Sequence, residues 1–553
     1  MSIRTFPLLL FALSTTFTIH AQVPAARLDP ALLGKPPVDA WPTYHGDYSG
    51  RRYSTLEQIN TSNVKGLALA WVYRLNTSPS NAIIGGEGPE QSPLGPLNAT
   101  IKSTPLMVNG VLYVSAPDHV WAIDARTGRE VWHYLWKTRG GDHIGNRGVG
   151  MYGEWLYFLT PDNYFVSLEA ATGKERWHKE IANMKREYFA TNAPIVIGRQ
   201  IMIGIGGDVL DIPGYLESRE PESGNVVWRF NTTPRAGEPG AETWPNEYAM
   251  LGGGGMPWLP GTYDPELNLY YIGTGNPNPV LTGASRRGDN LYTCTIVALN
   301  PETGKMVWHY QVTPHDTHDW DAAQTPVLID GEIDGKPRKL LAQASRNGHY
   351  FLLDRTNGQH IVTTRLIDSA NWTERINEKG QPIRNPAKDA AVPGTLVSPD
   401  TNGATNWPPP SFSPDTGLLY VGTTQGVSIM YLTDTDERPQ GWAAAERRVG
   451  NMGSALKAID YKTGKVRWSR PLATTATGST GGPMGLLSTA GGLLFGNDGG
   501  GNFVAYDAAT GRPLWHAGLN TNTSNGPETF LLDGRQFVVV GAADALYAFA
   551  LQQ

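Results

Sequence analysis

The run "PHDTHDWDAAQ", Pro314 to Gln324, crowds Asp316, Asp319 and Asp321 among His315, His318 and Trp320, in a chain of which only 17% is charged. Two kinds of chemistry want such a cluster. Carboxylate oxygens hold hard cations, and a carboxylate kept ionised by a nearby cation can take a proton from a substrate. A polar turn is the alternative. Further runs combine glycine with an aromatic or an amide: "LGGGGMPW" at 251–258, "GTGNPNP" at 273–279 and "NGATNWPPPSF" at 402–412. Each reads as an extra loop, the kind of segment that carries function.

The elements that must position these loops are written as a repeat. A motif of apolar–x–D–x–x–T–G–x–x–x–W appears as "AIDARTGREVW" (122–132), "SLEAATGKERW" (167–177), "ESREPESGNVVW" (217–228) and "ALNPETGKMVW" (298–308). It returns as "AIDYKTGKVRW" (458–468) and "AYDAATGRPLW" (505–515), with a degenerate "LLDRTNGQHI" at 352–361. Each copy predicts strand, tight turn, strand: Asp and Thr side chains bond nearby backbone, Gly takes a left-handed conformation, and Trp packs on the next sheet. The glycines, at 128, 173, 224, 304, 358, 464 and 511, are spaced by 45 to 54 residues apart from two gaps of 80 and 106. That period is one four-stranded sheet per repeat, arranged radially as a propeller. The C-terminal "DALYAFAL" (544–551) stops before its "TG…W" half, and "KGLALAWVYRL" (65–75) supplies one at the other end. Seven copies plus this shared one predict an all-β, eight-bladed ring with tryptophan-docking repeats, closed by N- and C-terminal strands. The functional loops are expected at one mouth of its channel, from the two wide gaps.

Composition agrees: 64 Gly, 41 Pro, 17 Trp and 23 Tyr in 553 residues suit many short strands and turns. A formal net charge of −6 argues against nucleic acid as a partner. The opening "MSIRTFPLLLFALSTTFTIHAQ" has Arg4, an apolar stretch and Ala21, the layout of a secretory signal over 1–21, leaving 22–553 as a single exported domain. No other stretch approaches the roughly 18 apolar residues of a membrane span. The expected location is a periplasm. The one cysteine, Cys294, excludes an internal disulfide and a "CxxCH" haem attachment, and its apolar alternating surroundings predict a buried thiol.

With these motifs the chain resembles the quinoprotein alcohol dehydrogenases, eight-bladed periplasmic propellers that bind pyrroloquinoline quinone (PQQ) and a metal. The resemblance runs over nearly the whole mature chain, beginning with "WPTYHGDYSGRRYSTLEQINTSNVKGLALAWVYRL" (41–75). It implies roles residue by residue. Asp319 matches the catalytic aspartate, and Asp321 matches the extra aspartate of lanthanide-using members, a position that calcium-using methanol dehydrogenases fill with a small residue. Trp258 corresponds to the tryptophan stacked under the quinone, Asn276 in "GTGN" to the amide-oxygen metal ligand, and Arg346 in "SRNG" to the arginine on the quinone oxygens. Arg147 in "GNRG" matches the arginine that pairs with a cofactor carboxylate, and Thr191 in "ATNAP" a threonine beside it. Asn406 and Trp407 in "TNWPPP" resemble the pair that lines the quinone.

Three positions depart from the family. The adjacent cysteines before the "NRG" arginine are replaced by Gly141 and Asp142. The metal-ligating glutamate aligns with Val209, so that Asp208, or Asp211, has to substitute. A cofactor-bonding glutamate aligns with Lys102, which could pair with a PQQ carboxylate instead. The resemblance thus implies oxidation of an alcohol to an aldehyde or ketone, with Asp319 as base and Arg346 as its electrophilic partner. One calcium or lanthanide ion would be held by Asn276, Asp319, Asp321 and Asp208. Electrons would leave to a separate carrier such as a c-type cytochrome. A propeller that has lost the cofactor and serves as a binding or assembly scaffold is the alternative.

Overall fold

The computed structural model describes residues 27–75, 100–139, 145–473 and 484–552. The expected leader, residues 1–21, and the altered positions Gly141 and Asp142 lie outside the described residues. The fold is all-β. Among the described residues there are eight sheets of four or five strands and one two-stranded hairpin, and the α-helical stretch is a single turn, Glu247–Leu251. None of the described helices is long and apolar enough to cross a membrane.

Each "D–x–x–T–G" stretch turns between the third and fourth strands of its sheet. In the first copy His119–Asp124 pairs with Glu130–Leu135, and the Asp124 carboxylate accepts from the amides of Arg126 and Thr127. All seven motif glycines have φ between +65° and +74°. That is the left-handed region, which glycine enters without the Cβ penalty of other residues.

The tryptophan of each copy docks on the glycine of the next. A Cβ on Gly128 would fall 2.7 Å from the Trp71 ring, one on Gly173 2.5 Å from Trp132, and one on Gly304 2.4 Å from Trp228. The same pairing joins Gly224 to Trp177, Gly358 to Trp308 and Gly511 to Trp468. The degenerate copy lacks its tryptophan, and Gly464 rests on Thr364 and Tyr350 instead. The indole N–H groups hold the same register, Trp71 donating to Ala125 O, Trp132 to Ala170 O, Trp308 to Arg355 O and Trp468 to Ala508 O.

The chain ends meet in one sheet. Strand Leu67–Arg74 pairs antiparallel with Ala545–Leu551, setting Trp71 opposite Ala548. Trp515, from the last copy, donates to Leu67 O at 2.9 Å. The largest apolar cluster accordingly draws on both ends of the chain, with Trp41, Trp71, Trp121, Phe503 and Phe549 buried together. Cys294 is buried, and burial pushes its thiol pKa up.

Candidate active site

The run 314–324 spans the loop between strands Met306–Gln311 and Val327–Ile333. Asp316 builds the loop. Its two carboxylate oxygens accept the amides of His318 at 3.3 Å, Asp319 at 3.0 Å and Trp320 at 3.2 Å. Burial raises its pKa to about 6. His318 lies flat on Trp320, ring centroids 4.3 Å apart, and shares a hydrogen bond with Lys388 O. His315 shares one with Gly288 O. Both imidazoles and one carboxylate thus serve the loop's shape, leaving Asp319 and Asp321 to face the cavity. Asp319 is held at φ 66° by this frame.

Arg346 lies between the two remaining carboxylates, giving Nη2 to Asp319 Oδ2 at 2.8 Å and Nη1 to Asp321 Oδ2 at 2.7 Å. Its backbone is fixed from both sides, its N–H donating to Gln324 Oε1 and its carbonyl accepting from Ala404 N. A Cβ on Gly403, at φ 79°, would meet Arg346 Cβ at 2.7 Å, so glycine permits that close approach. Trp258 donates its indole N–H to Asp321 Oδ2 at 2.8 Å. The glycines before it are what let it do so. Gly255 N donates to Asn276 O at 2.8 Å, and a Cβ on Gly254 would sit 2.4 Å from that same oxygen.

The Arg147 guanidinium is sandwiched between two indoles, 5.1 Å from the Trp258 centroid and 5.2 Å from that of Trp407. Its amide donates to Thr191 O, and Thr191 Oγ1 donates to Trp258 O at 3.3 Å. Asn406 holds Trp407 by accepting its amide at 2.8 Å. One cavity of about 730 Å³ takes in Arg147, Thr191, Asp208, Trp258, Asp319, Asp321, Arg346, Asn406 and Trp407. Residues that the sequence spreads over some 260 positions therefore line a single chamber. Asn276 is buried beside it, its side chain bonded to Asn278, which in turn donates to Asp208 O. Lys102, half-buried before strand Leu106–Val108, is not among the described residues that line the chamber.

The structure separates the two substitutes for the missing glutamate. Asp208 lines the cavity, whereas Asp211 turns Oδ2 to the amide of Gly441 at 2.6 Å. Val209 packs with Val280, Leu281 and Ala444.

Electrostatically the chamber is short of positive charge. One guanidinium serves two buried carboxylates, with Asp208 close enough to act on both partners. Burial first, then the neighbouring carboxylates, lifts Asp319 well above the ordinary carboxylate value in spite of Arg346. Asp321 is raised as well, again chiefly by burial. Asp321 Oδ1 is buried without a hydrogen bond of normal geometry. An orphaned carboxylate oxygen among hard donors fits a hard cation. Among the described residues no three His, Cys, Asp or Glu side chains yet converge on one point.

Comparison with known proteins matches residues 41–391 and 453–538 to the family described as PQQ glucose/ethanol/alcohol dehydrogenase, β-propeller domain. The chain belongs to that family. It is therefore an oxidoreductase of the PQQ-dependent alcohol dehydrogenase kind, as the opening segment and loop motifs implied. A quinohemoprotein alcohol dehydrogenase of Comamonas testosteroni is 36% identical over 540 residues, covering 90% of this chain and 72% of that one. Quinoprotein alcohol dehydrogenase PedH of Pseudomonas putida is 33% identical, covering 89% and 84%. Among solved structures, the Comamonas testosteroni enzyme superposes with a TM-score of 0.81 at 33% identity over 93% of this chain and 80% of that one. A europium-containing methanol dehydrogenase gives 0.80 at 28% identity, over 94% and 99%.

Sequence reasoning missed the chamber's outer wall, which includes Phe189, Met256, Leu281, Trp442, Glu446 and Arg448. The last three belong to the hairpin of strands Leu418–Leu432 and Ala444–Asp460, inside the insertion 359–463. The absence of a repeat motif there was the available signal, and it marks an insertion without saying where it folds.

Proposed function

We propose that this quinoprotein dehydrogenase oxidises an alcohol to an aldehyde or ketone with bound PQQ and one calcium or lanthanide ion. The observation that carries the reading is the ion-paired set Asp319–Arg346–Asp321 with Trp258 bonded to Asp321, all facing one cavity. PQQ would supply the two-electron acceptor. Trp258 and Trp407 offer the flat walls for it, and Arg147, now between them, would pair with a carboxylate at the edge. Thr191, Asn406 and, less directly, Lys102 would complete its surroundings. Asn276, Asp319 and Asp321 would hold the cation, with Asp208 on the facing wall in place of the glutamate. With a cation bound there, Asp319 would be held ionised as its pKa came back down. Asp319 Oδ1, the oxygen that Arg346 does not engage, then takes the hydroxyl proton. Arg346 would offer its guanidinium to the oxygens of the bound acceptor, where it would stabilise negative charge.

The eight sheets, the tryptophan register and the pairing of the terminal strands support an eight-bladed ring closed by both chain ends, one domain over 22–553. The leader-like 1–21 supports export to a periplasm, where a separate carrier such as a c-type cytochrome would collect the electrons. The deciding experiment titrates the apo-protein with PQQ, with calcium or lanthanum in parallel, following quinone absorbance and dye-coupled alcohol oxidation. Stoichiometric binding with turnover is expected. No binding with either metal would sink the reading and leave the scaffold.

A further inference from the structure

The hairpin that lines one side of the chamber is fastened to the residues beside it. Val280 N donates to Gly441 O at 2.8 Å and Leu281 N to Trp442 O at 3.1 Å, while Gly441 N reaches Asp211 Oδ2. This places Trp442, 43% exposed, on the cavity wall. Two residues beyond the Ala444 that starts the return strand stands Glu446, and beyond it Arg448. Glu446 accepts both the amide and the hydroxyl of Thr401, at 2.9 and 2.8 Å. The Thr401 carbonyl accepts from Arg346, so this wall is one residue from the reacting group.

Arg448 is held loosely. Its Nε lies 3.4 Å from Asp400 Oδ2 and 3.6 Å from Glu446 Oε2, both longer than a normal hydrogen bond, and its side chain is 53% exposed. It is one of the residues that line the cavity. Two carboxylates around one guanidinium leave the trio net negative, which disfavours an anionic ligand. A hydroxyl suits it: the group accepts from Arg448 while donating to Glu446. The Trp442 ring offers a face for the C–H groups between successive hydroxyls.

Resting on the dehydrogenase reading, we propose that Arg448, Glu446 and Trp442 form a hydroxyl-binding subsite, and that the alcohol oxidised here is a diol or polyol rather than a simple alkanol. The test uses PQQ- and metal-loaded protein and compares kcat/KM for glycerol against 1-propanol, and for ribitol against 1-pentanol. The polyol-to-alkanol ratio is measured in the wild type, Arg448→Met and Trp442→Ala. Loss of one hydroxyl contact in Arg448→Met, and of the ring face in Trp442→Ala, lowers the ratio about tenfold in each. Should Arg448→Met fail to fold, Trp442→Ala, at a half-exposed tip, carries the comparison. A ratio unchanged in the folded variants, with 1-propanol still oxidised by the wild type, overturns the subsite and leaves the dehydrogenase standing. PQQ bound with none of the four alcohols oxidised overturns both.

Discussion

Replacing Asp319 by Asn removes a charge and a proton acceptor while keeping the side chain's shape. Arg346 remains anchored after the change, because Nη1 still meets Asp321 at 2.7 Å and Nη2 still meets the Thr401 carbonyl. The apo-protein should not suffer: burial and the neighbouring carboxylates already hold Asp319 above its ordinary pKa, so the neutral amide is the easier group to bury. Trp258, Arg147 and Trp407 are untouched, so PQQ binding should persist. What goes is general-base catalysis, worth about 10²–10⁴ in rate. We expect a kcat loss near 10³, about 4 kcal/mol of barrier. The assay is dye-coupled turnover at saturating alcohol, with quinone absorbance establishing full cofactor occupancy. A fully loaded Asp319→Asn within tenfold of the wild type would refute Asp319 as the base, and the proton acceptor would have to be sought elsewhere in the chamber.

Asp321→Ala removes the carboxylate whose Oδ1 lies unsatisfied, so activation by lanthanum should fall by more than activation by calcium; parallel metal titrations of dye-coupled activity read the difference. Glu528 is buried with neither carboxylate oxygen hydrogen-bonded, and burial raises its pKa well above 4.5. A raised carboxylate pKa means stability that falls as pH climbs from 4.5 through the folded value. Glu528→Gln should therefore melt higher than wild type at pH 8, and the gap should close below pH 4.5. Gly173→Ala adds a Cβ 2.5 Å from Trp132 at φ 71°. Strain and overpacking should together cost about 2–4 kcal/mol in urea unfolding, and an unchanged midpoint would remove the docking register from the argument.

The repeat was readable because it is local. In each copy the turn residues and the glycine lie within about ten residues of one another, with a tryptophan following in all but the degenerate copy, and their turn chemistry and packing recur wherever the letters do. The degenerate copy was readable for the same reason, through its missing tryptophan. Family motifs marked Asp319, Asp321, Arg346, Trp258 and Arg147 from loops far apart in the chain. Other features waited for the tertiary structure. Letters alone did not separate Asp316, which frames its loop with three amide bonds, from Asp319 three residues on. Nor did they separate Asp208 from Asp211, since a side chain's direction in a loop depends on φ and on its partner; Asp211 is claimed by Gly441, a residue 230 positions on. The outer wall was illegible for a related reason. Trp442, Glu446 and Arg448 acquire meaning only when backbone bonds to Val280 and Leu281 hold their hairpin against the chamber. Local chemistry determined the turns and the docking tryptophans, and family motifs marked the candidate reacting groups. Long-range packing decided which of those groups face one another, because direction and distance between loops are properties of the assembled sheets and of no single stretch.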